Sequence, residues 1–457
     1  MHERSEPHRP PRQPRIAAAV RQDLANWREW LARIAVLVHA GLAGAAVVAF
    51  TWLTEQALRG FHLVQGSATW LPLLWTPACC GAMAWLTLRH FPSAAGSGIP
   101  QVMAALDPVV DEPGRHWLVS LRLSLAKMLL TAGGLLGGLA IGREGPSVQI
   151  AAGVMHNARR WLPAGTSVSS HALLIAGGAA GIAAAFNAPL AGVMFAIEEL
   201  HRKIEHRSSG LIICAIVLAG VVGVSAFGNA AYFGVIRVPA TAAGWLWSGV
   251  AVVLVSALAG GVFARLLHAS LTGTQGRIAP WRRQHPVAFA SACGLAIAAL
   301  GLASGGTSWG SGYEYTRGLL EGSGDVPGLY VLFRFVATWL AAWSGVPGGI
   351  FAPSLAIGAG IGHDIALLWG PQTNAAPLIA LGMTAFLAAV TRAPLTAFII
   401  VMEMVDGHAM VLSLMAAALG ASLVSRWIGH PLYELLSLPY IERAGRLSPA
   451  APQARPA

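Results

Sequence analysis

An all-α, polytopic membrane protein is the fold class this sequence predicts, and three observations predict it. First, 55% of the 457 residues are hydrophobic and only 11% are charged, where soluble domains carry roughly 25% charged residues. Second, uncharged apolar runs at 34–53, 172–197, 211–227, 245–264 and 377–390 reach or approach the roughly 20 residues a bilayer core requires. Third, these runs do not alternate apolar with polar residues, which excludes an outer-membrane barrel. The 53 glycines and 27 prolines interrupt the runs more often than simple spanning helices need, so many helices are expected to be short or broken.

The chain opens on MHERSEPHRPPRQPR, a Pro- and Arg-rich stretch with no short apolar core or small-residue cleavage site, hence no signal peptide. Seven arginines (Arg4, Arg9, Arg12, Arg15, Arg21, Arg28, Arg33) precede the first long run. The positive-inside bias therefore keeps the amino terminus in the cytoplasm. The formal net charge of +10 is scattered through segments flanking the apolar runs, and only Lys127 and Lys203 are lysines, so membrane topology explains it better than a nucleic-acid partner. Cys79, Cys80, Cys214 and Cys293 lack metal-ligand spacing and are expected to be packing residues.

The chain repeats itself. Residues 176–199 and 381–404, offset by 205, agree at eight of 24 positions, including Ala188-Pro189-Leu190 with Ala393-Pro394-Leu395 and Glu198 with Glu403. Residues 142–154 and 349–361, offset by 207, agree at six of 13, including Gly142/Gly349, Pro146/Pro353 and Ser147/Ser354. Two ordered pairs at nearly one offset predict two homologous halves, 31–235 and 236–440. A disordered cytoplasmic tail is expected at 1–30 and a second cytoplasmic tail at 441–457. Duplicated halves with interrupted helices are the pattern of a transporter whose site lies at the repeat interface near the bilayer midplane.

A helix that begins inside the membrane leaves backbone N–H groups unpaired and presents its positive end, so it attracts anions. Three segments have the glycines for a tight turn and a proline where a first helical turn tolerates it: Gly96-Ser97-Gly98-Ile99-Pro100, Gly142-Arg143-Glu144-Gly145-Pro146 and Gly348-Gly349-Ile350-Phe351-Ala352-Pro353. Ionisable residues inside hydrocarbon cost at least a few kcal/mol and are functional candidates by default, Glu144 foremost. Its carboxylate can occupy an anion position among helix-start amides, and protonation would release it. Glu198 has a repeat counterpart in Glu403, whereas Glu199 faces Met404, and an acid unmatched by the repeat is the better candidate for a proton route.

In this order and spacing, GSGIP, GREGP and GGIFAP resemble the anion-site motifs of the CLC family of chloride channels and chloride/proton exchangers. His430-Pro431-Leu432-Tyr433 resembles the stretch that supplies that family's site tyrosine. The resemblance spans roughly 30–440 and implies tandem, inverted repeats of roughly eighteen short, tilted and broken helices. It also implies a homodimer with a pathway in each subunit and both termini cytoplasmic in the inner (plasma) membrane. Ser97 and Tyr433 would offer hydroxyls, and Ile350 and Phe351 backbone amides, to chloride. Glu144 would be the gate and Glu199 the internal proton-transfer acid, a position where channel members usually carry an apolar residue. Some exchangers have carboxylates at the first and third positions after the GSGIP proline, where this chain has Gln101 and Met103. Lys127 occupies a position often basic in the family, able to raise the local potential for anions or to pair with a buried acid.

The expected function is chloride/proton antiport, without cofactor or metal, with a passive chloride channel of the same fold as the alternative. Gly306-Thr307-Ser308-Trp309-Gly310 satisfies the GxSxG string and supports a third reading, an intramembrane serine hydrolase, but no strand is expected before it. His201 and His206 flank a basic loop without HExxH spacing, and His363-Asp364 suggests no role. The short chain after Tyr433 implies that the nucleotide-binding domains of many eukaryotic relatives are absent.

Overall fold

A computed structural model describes residues 27–200, 209–228, 232–234, 246–273, 278–322, 328–370 and 374–447. The 1–30 tail up to residue 26, the junction between the expected halves at 235–245, and His201 and His206 lie outside these described residues.

Among the described residues the regular structure is helical. The first part of the chain forms α1 (Trp27–Ser67), α2 (Pro72–His90), α3 (Ile99–Leu106), α4 (Glu112–Leu118), α5 (Leu121–Leu136), α6 (Glu144–Asn157), α7 (Ser170–Phe186), α8 (Pro189–Phe195) and α9 (Ser209–Phe227). The second part forms α10 (Leu246–Thr272), α11 (Ile278–Gln284), α12 (Pro286–Ala303), α13 (Tyr313–Glu321), α14 (Tyr330–Trp343), α15 (Phe351–Trp369), α16 (Ala375–Thr391), α17 (Pro394–Met404), α18 (Val411–Ile428) and α19 (Leu432–Gly445). Among the described residues, seven helical stretches are long and apolar enough to cross a membrane. The apolar run at 34–53 lies inside α1, whose 41 residues span about 60 Å, twice the hydrocarbon thickness.

The run at 172–197 is two helices, in keeping with the expected broken helices. It breaks at Asn187, which takes a left-handed φ of 55°, and restarts as α8 with Pro189 in its first turn. Its repeat counterpart breaks in the same way. Arg392 has φ 61° at the end of α16, and Pro394 opens α17. Asparagine tolerates this conformation readily and arginine does so rarely. The Arg392 guanidinium stays in place by donating to the carbonyls of Ser425, at 2.8 Å, and Gly429.

The innermost layer packs through small residues. A side chain at Gly177 would strike Ala152 and one at Gly181 would strike Ser147, so α7 lies directly on α6. Gly358 and Gly362 bring α15 against Gly382 and Leu378 of α16 in the same manner. Close backbone approach supplies the van der Waals attraction that replaces a hydrophobic driving force between helices in lipid. Cys80 on α2, against Gly294 of α12, and Cys293 on α12 are buried as expected and Cys79 is half-buried, whereas Cys214, on α9, is exposed.

The repeat is visible in backbone hydrogen bonds as well as in sequence. Gly142 N–H donates to the Gly349 carbonyl at 2.7 Å, and Gly349 N–H donates back at 2.8 Å, an isolated antiparallel bridge between equivalent residues. Glu198 accepts from the amides of Leu395 (3.0 Å) and Thr396 (2.6 Å) at the start of α17. Glu403 accepts from Leu190 (3.2 Å) and Ala191 (2.7 Å) at the start of α8.

Candidate functional site

All three glycine-framed segments begin helices, and they converge. Gly98, at φ 112°, turns the chain into α3. Glu144 is the first residue of α6 and Phe351 the first of α15. Beyond the Gly142–Gly349 bridge, Gly348 N–H donates to the Gly96 carbonyl at 3.1 Å, and Gly145 packs so tightly on Ser97 that any side chain there would overlap Ser97 Oγ. Three helix starts therefore aim their unpaired amides at one region, where their dipoles favour negative charge.

A carboxylate sits in that region. Glu144 is 1% exposed, and its Oε2 accepts from the Ala352 N–H of α15 at 3.4 Å. The backbone amides of Arg143 and Glu144 itself also approach it. Gly142 lies against the same oxygen and leaves no room for a side chain. The acid of one half thus touches the helix start of the other, where an anion would bind.

Two buried hydroxyls flank it. Ser97 Oγ and Tyr433 Oη are near neighbours, yet neither has a hydrogen-bond partner among the described residues. Tyr433, the second residue of α19, is 1% exposed and stacks on Phe351 with ring centroids 6.1 Å apart. Buried donors are rarely left unmade because each costs about 1–3 kcal/mol. Two of them beside the Ile350–Phe351 helix start suit a dehydrated anion held without a full positive charge.

Glu199 lies on the far side of Tyr433. Residues Ala196–Leu200 form a π-helical turn after α8, a distortion that recurs at functional sites. The turn carries Glu198 towards α17, while Glu198 and Glu199 both reach a cavity of about 300 Å³ that Tyr433, Arg392 and Arg426 also line. Its counterpart helix α17 stays regular to Met404, which is buried. Met103 lines this cavity, so the second missing carboxylate falls beside Glu199. A separate vestibule of about 830 Å³ reaches Ser97, Ile350 and Tyr433 and carries Arg282, Arg283 and Arg443. A third cavity of about 260 Å³ holds Arg143, Glu55, Tyr232 and Ser311.

The supporting residues have defined partners. Arg143 donates to Glu55 at 3.1 Å and to the Tyr232 hydroxyl at 3.0 Å. Lys127, fully buried, pairs with no acid among the described residues: its ammonium donates to the carbonyls of Ala94 and Gly96, each at 2.7 Å. Arg334, also fully buried, is its equivalent 207 positions later and was not legible as such. It donates to the carbonyls of Ser308 (3.0 Å), Trp309 (3.0 Å) and Gly310 (2.8 Å). The loops these cations hold also correspond: Gly96-Ser97-Gly98 recurs as Gly310-Ser311-Gly312, and all four glycines have positive φ. The GxSxG string is therefore a structural turn after helix α12. Its Ser308 is fully buried and receives a hydrogen bond from Ser304 Oγ at 3.0 Å.

Repeat-equivalent residues that bond to one another, broken helices and a buried acid where three helix starts meet define a membrane ion-transport protein. More particularly, the chain belongs to the voltage gated chloride channel family, whose model matches residues 79–426. It is 31% identical over 440 residues to the H(+)/Cl(-) exchange transporter ClcA of Cronobacter sakazakii, with 92% of each chain covered. A solved slow cyanobacterial Cl-/H+ antiporter superposes with a TM-score of 0.76 at 25% identity, covering 91% of this chain and 98% of that one. A CLC-type fluoride/proton antiporter shares the fold, with a TM-score of 0.71 at 22% identity over 88% and 97% of the two chains.

Proposed function

We propose that this chain is a secondary active antiporter exchanging chloride for protons across the inner (plasma) membrane, as a homodimer with both termini cytoplasmic. Its two halves are 31–235 and 236–440. The observation that carries the reading is the carboxylate of Glu144 on the Ala352 amide, beside the two unpartnered hydroxyls of Ser97 and Tyr433. A carboxylate and a chloride that compete for one set of amides cannot both be bound there. Protonation removes the carboxylate's claim, so chloride occupancy and proton uptake become linked events.

In this reading Ser97, Ile350, Phe351 and Tyr433 hold chloride, Glu144 exchanges protons with the cavity that holds Arg143, and Glu199 takes them through the cavity beyond Tyr433. A passive chloride channel is the rival, and the acid on the π turn tells against it, since a channel has no use for a second proton carrier. The test is simultaneous measurement of proton and chloride flux in reconstituted vesicles. A chloride gradient should drive protons uphill; chloride flux with no proton movement would establish the channel instead.

A further inference from the structure

Carbonyl oxygens repel anions, so a chloride site must engage those of its own loop elsewhere. The segment leading to Ser97 does this residue by residue. The Ser93 carbonyl accepts from Gln101 Nε2 (3.2 Å) and Gln149 Nε2 (3.1 Å). The Ala94 carbonyl accepts from Lys127. The Ala95 carbonyl accepts from Gln101 Nε2 (2.5 Å) and the Tyr440 hydroxyl (3.0 Å). The Gly96 carbonyl accepts from Lys127 and the Gly348 amide. Four consecutive carbonyls are thus held by donors from α3, α5, α6, α19 and the second half's glycine loop.

Gln101 is the member whose residue type matters most. It is fully buried, and its NH2 group serves two of the four carbonyls, which a carboxylate at this position is unable to do. In the corresponding loop of the second half the carbonyls of Ser308, Trp309 and Gly310 accept from Arg334, and the position equivalent to Gln101 is Tyr315. The amide donor is therefore confined to the half that carries Ser97.

We propose that Gln101, acting with Lys127, is a positioning residue for anion selectivity: it fixes the carbonyls of 93–96 away from the pathway and thereby aims the Ser97 hydroxyl at the anion. This rests on the reading of Ser97 as a chloride ligand. Gln101→Met, which removes the donor without adding charge, should weaken chloride binding about tenfold, the equivalent of one lost hydrogen bond near the upper end of its usual worth. Because nitrate depends less on a hydroxyl donor, the chloride-to-nitrate ratio should fall as well. Gln101→Leu, which also lacks the donor, should shift both in the same direction, and it decides the matter if the methionine variant does not fold.

Chloride titration calorimetry on the detergent-solubilised protein and reversal potentials in mixed chloride and nitrate supply the two readouts. A merely structural defect lowers both anions' flux in proportion and leaves their ratio alone. A folded Gln101 variant with wild-type affinity and ratio overturns the positioning role. Ser97→Ala run alongside separates the two ideas: a shifted ratio there with none in the Gln101 variants sinks only the positioning role, whereas an unchanged ratio in Ser97→Ala sinks the Ser97 reading and this proposal with it.

Discussion

Glu198 and Glu403, 205 positions apart, each cap the short helix that opens in the other half: the first accepts from the amides of Leu395 and Thr396, the second from those of Leu190 and Ala191. The donors are themselves repeat equivalents. A sequence identity that looks like conservation of a charge is therefore one contact made twice, by a pseudo-two-fold axis that exchanges the halves.

The exchange predicts matched energetics. Glu198→Ala and Glu403→Ala should each cost about 2 kcal/mol, because each leaves a helix start without its charged acceptor. Thermal melting of the detergent-solubilised protein would show comparable drops in Tm. A large effect at one position and none at the other would mean that the symmetry of the contacts is not one of energy.

Glu199 has no acidic partner in the repeat, and its prediction concerns coupling. Glu199→Gln should abolish most proton movement while chloride still crosses, since a carboxamide keeps the shape but carries no proton. Vesicle measurements with a pH electrode and a chloride electrode check this. Near wild-type uphill proton pumping by the variant would remove Glu199 from the route.

For Glu144 the expectation follows from its seat on the Ala352 amide. Glu144→Ala frees that helix start permanently, so chloride flux should persist, lose most of its dependence on pH and carry no protons. Flux assays across a pH series decide it, and a variant that stays proton-coupled refutes the gate.

Ser97→Pro removes the one side-chain donor of its segment. The loss should disfavour the strongly hydrated chloride more than the softer nitrate, shifting preference towards nitrate while Glu199-dependent proton transport continues. Reversal potentials in mixed anions test it. A wild type that already prefers nitrate or fluoride would overturn the assignment before any variant is made.

Much of this was legible in the sequence because glycine and proline impose local geometry. The helix starts at Ile99, Glu144 and Phe351 lie where GSGIP, GREGP and GGIFAP placed them. The break at Asn187 is marked in the sequence too, by an asparagine suited to a left-handed helix end and by Pro189 two residues on, although the surrounding run is uniformly apolar. Lys127 and Arg334 escaped pairing because the equivalence lies in what they hold, backbone carbonyls, and two different cations serve that purpose. Their loops were obscured as well: Gly96-Ser97-Gly98 and Gly310-Ser311-Gly312 stand 214 apart, out of step with the 205 and 207 of the other matches, since a longer connection shifts the register without changing the structure. Burial of Gln101 against carbonyls has no sequence signature at all.

The Gly142–Gly349 bridge bears on mechanics. It joins the two halves at the site itself through two short, buried backbone bonds, and neither glycine has a side chain that could slide or re-pack. A cycle in which the halves rock as rigid bodies would have to shear this joint in every turnover. In the proposed exchange cycle the bridge would serve as a rivet, and a riveted frame would leave motion to what hangs from it: the swing of the Glu144 carboxylate and the tilt of the Tyr433 phenol.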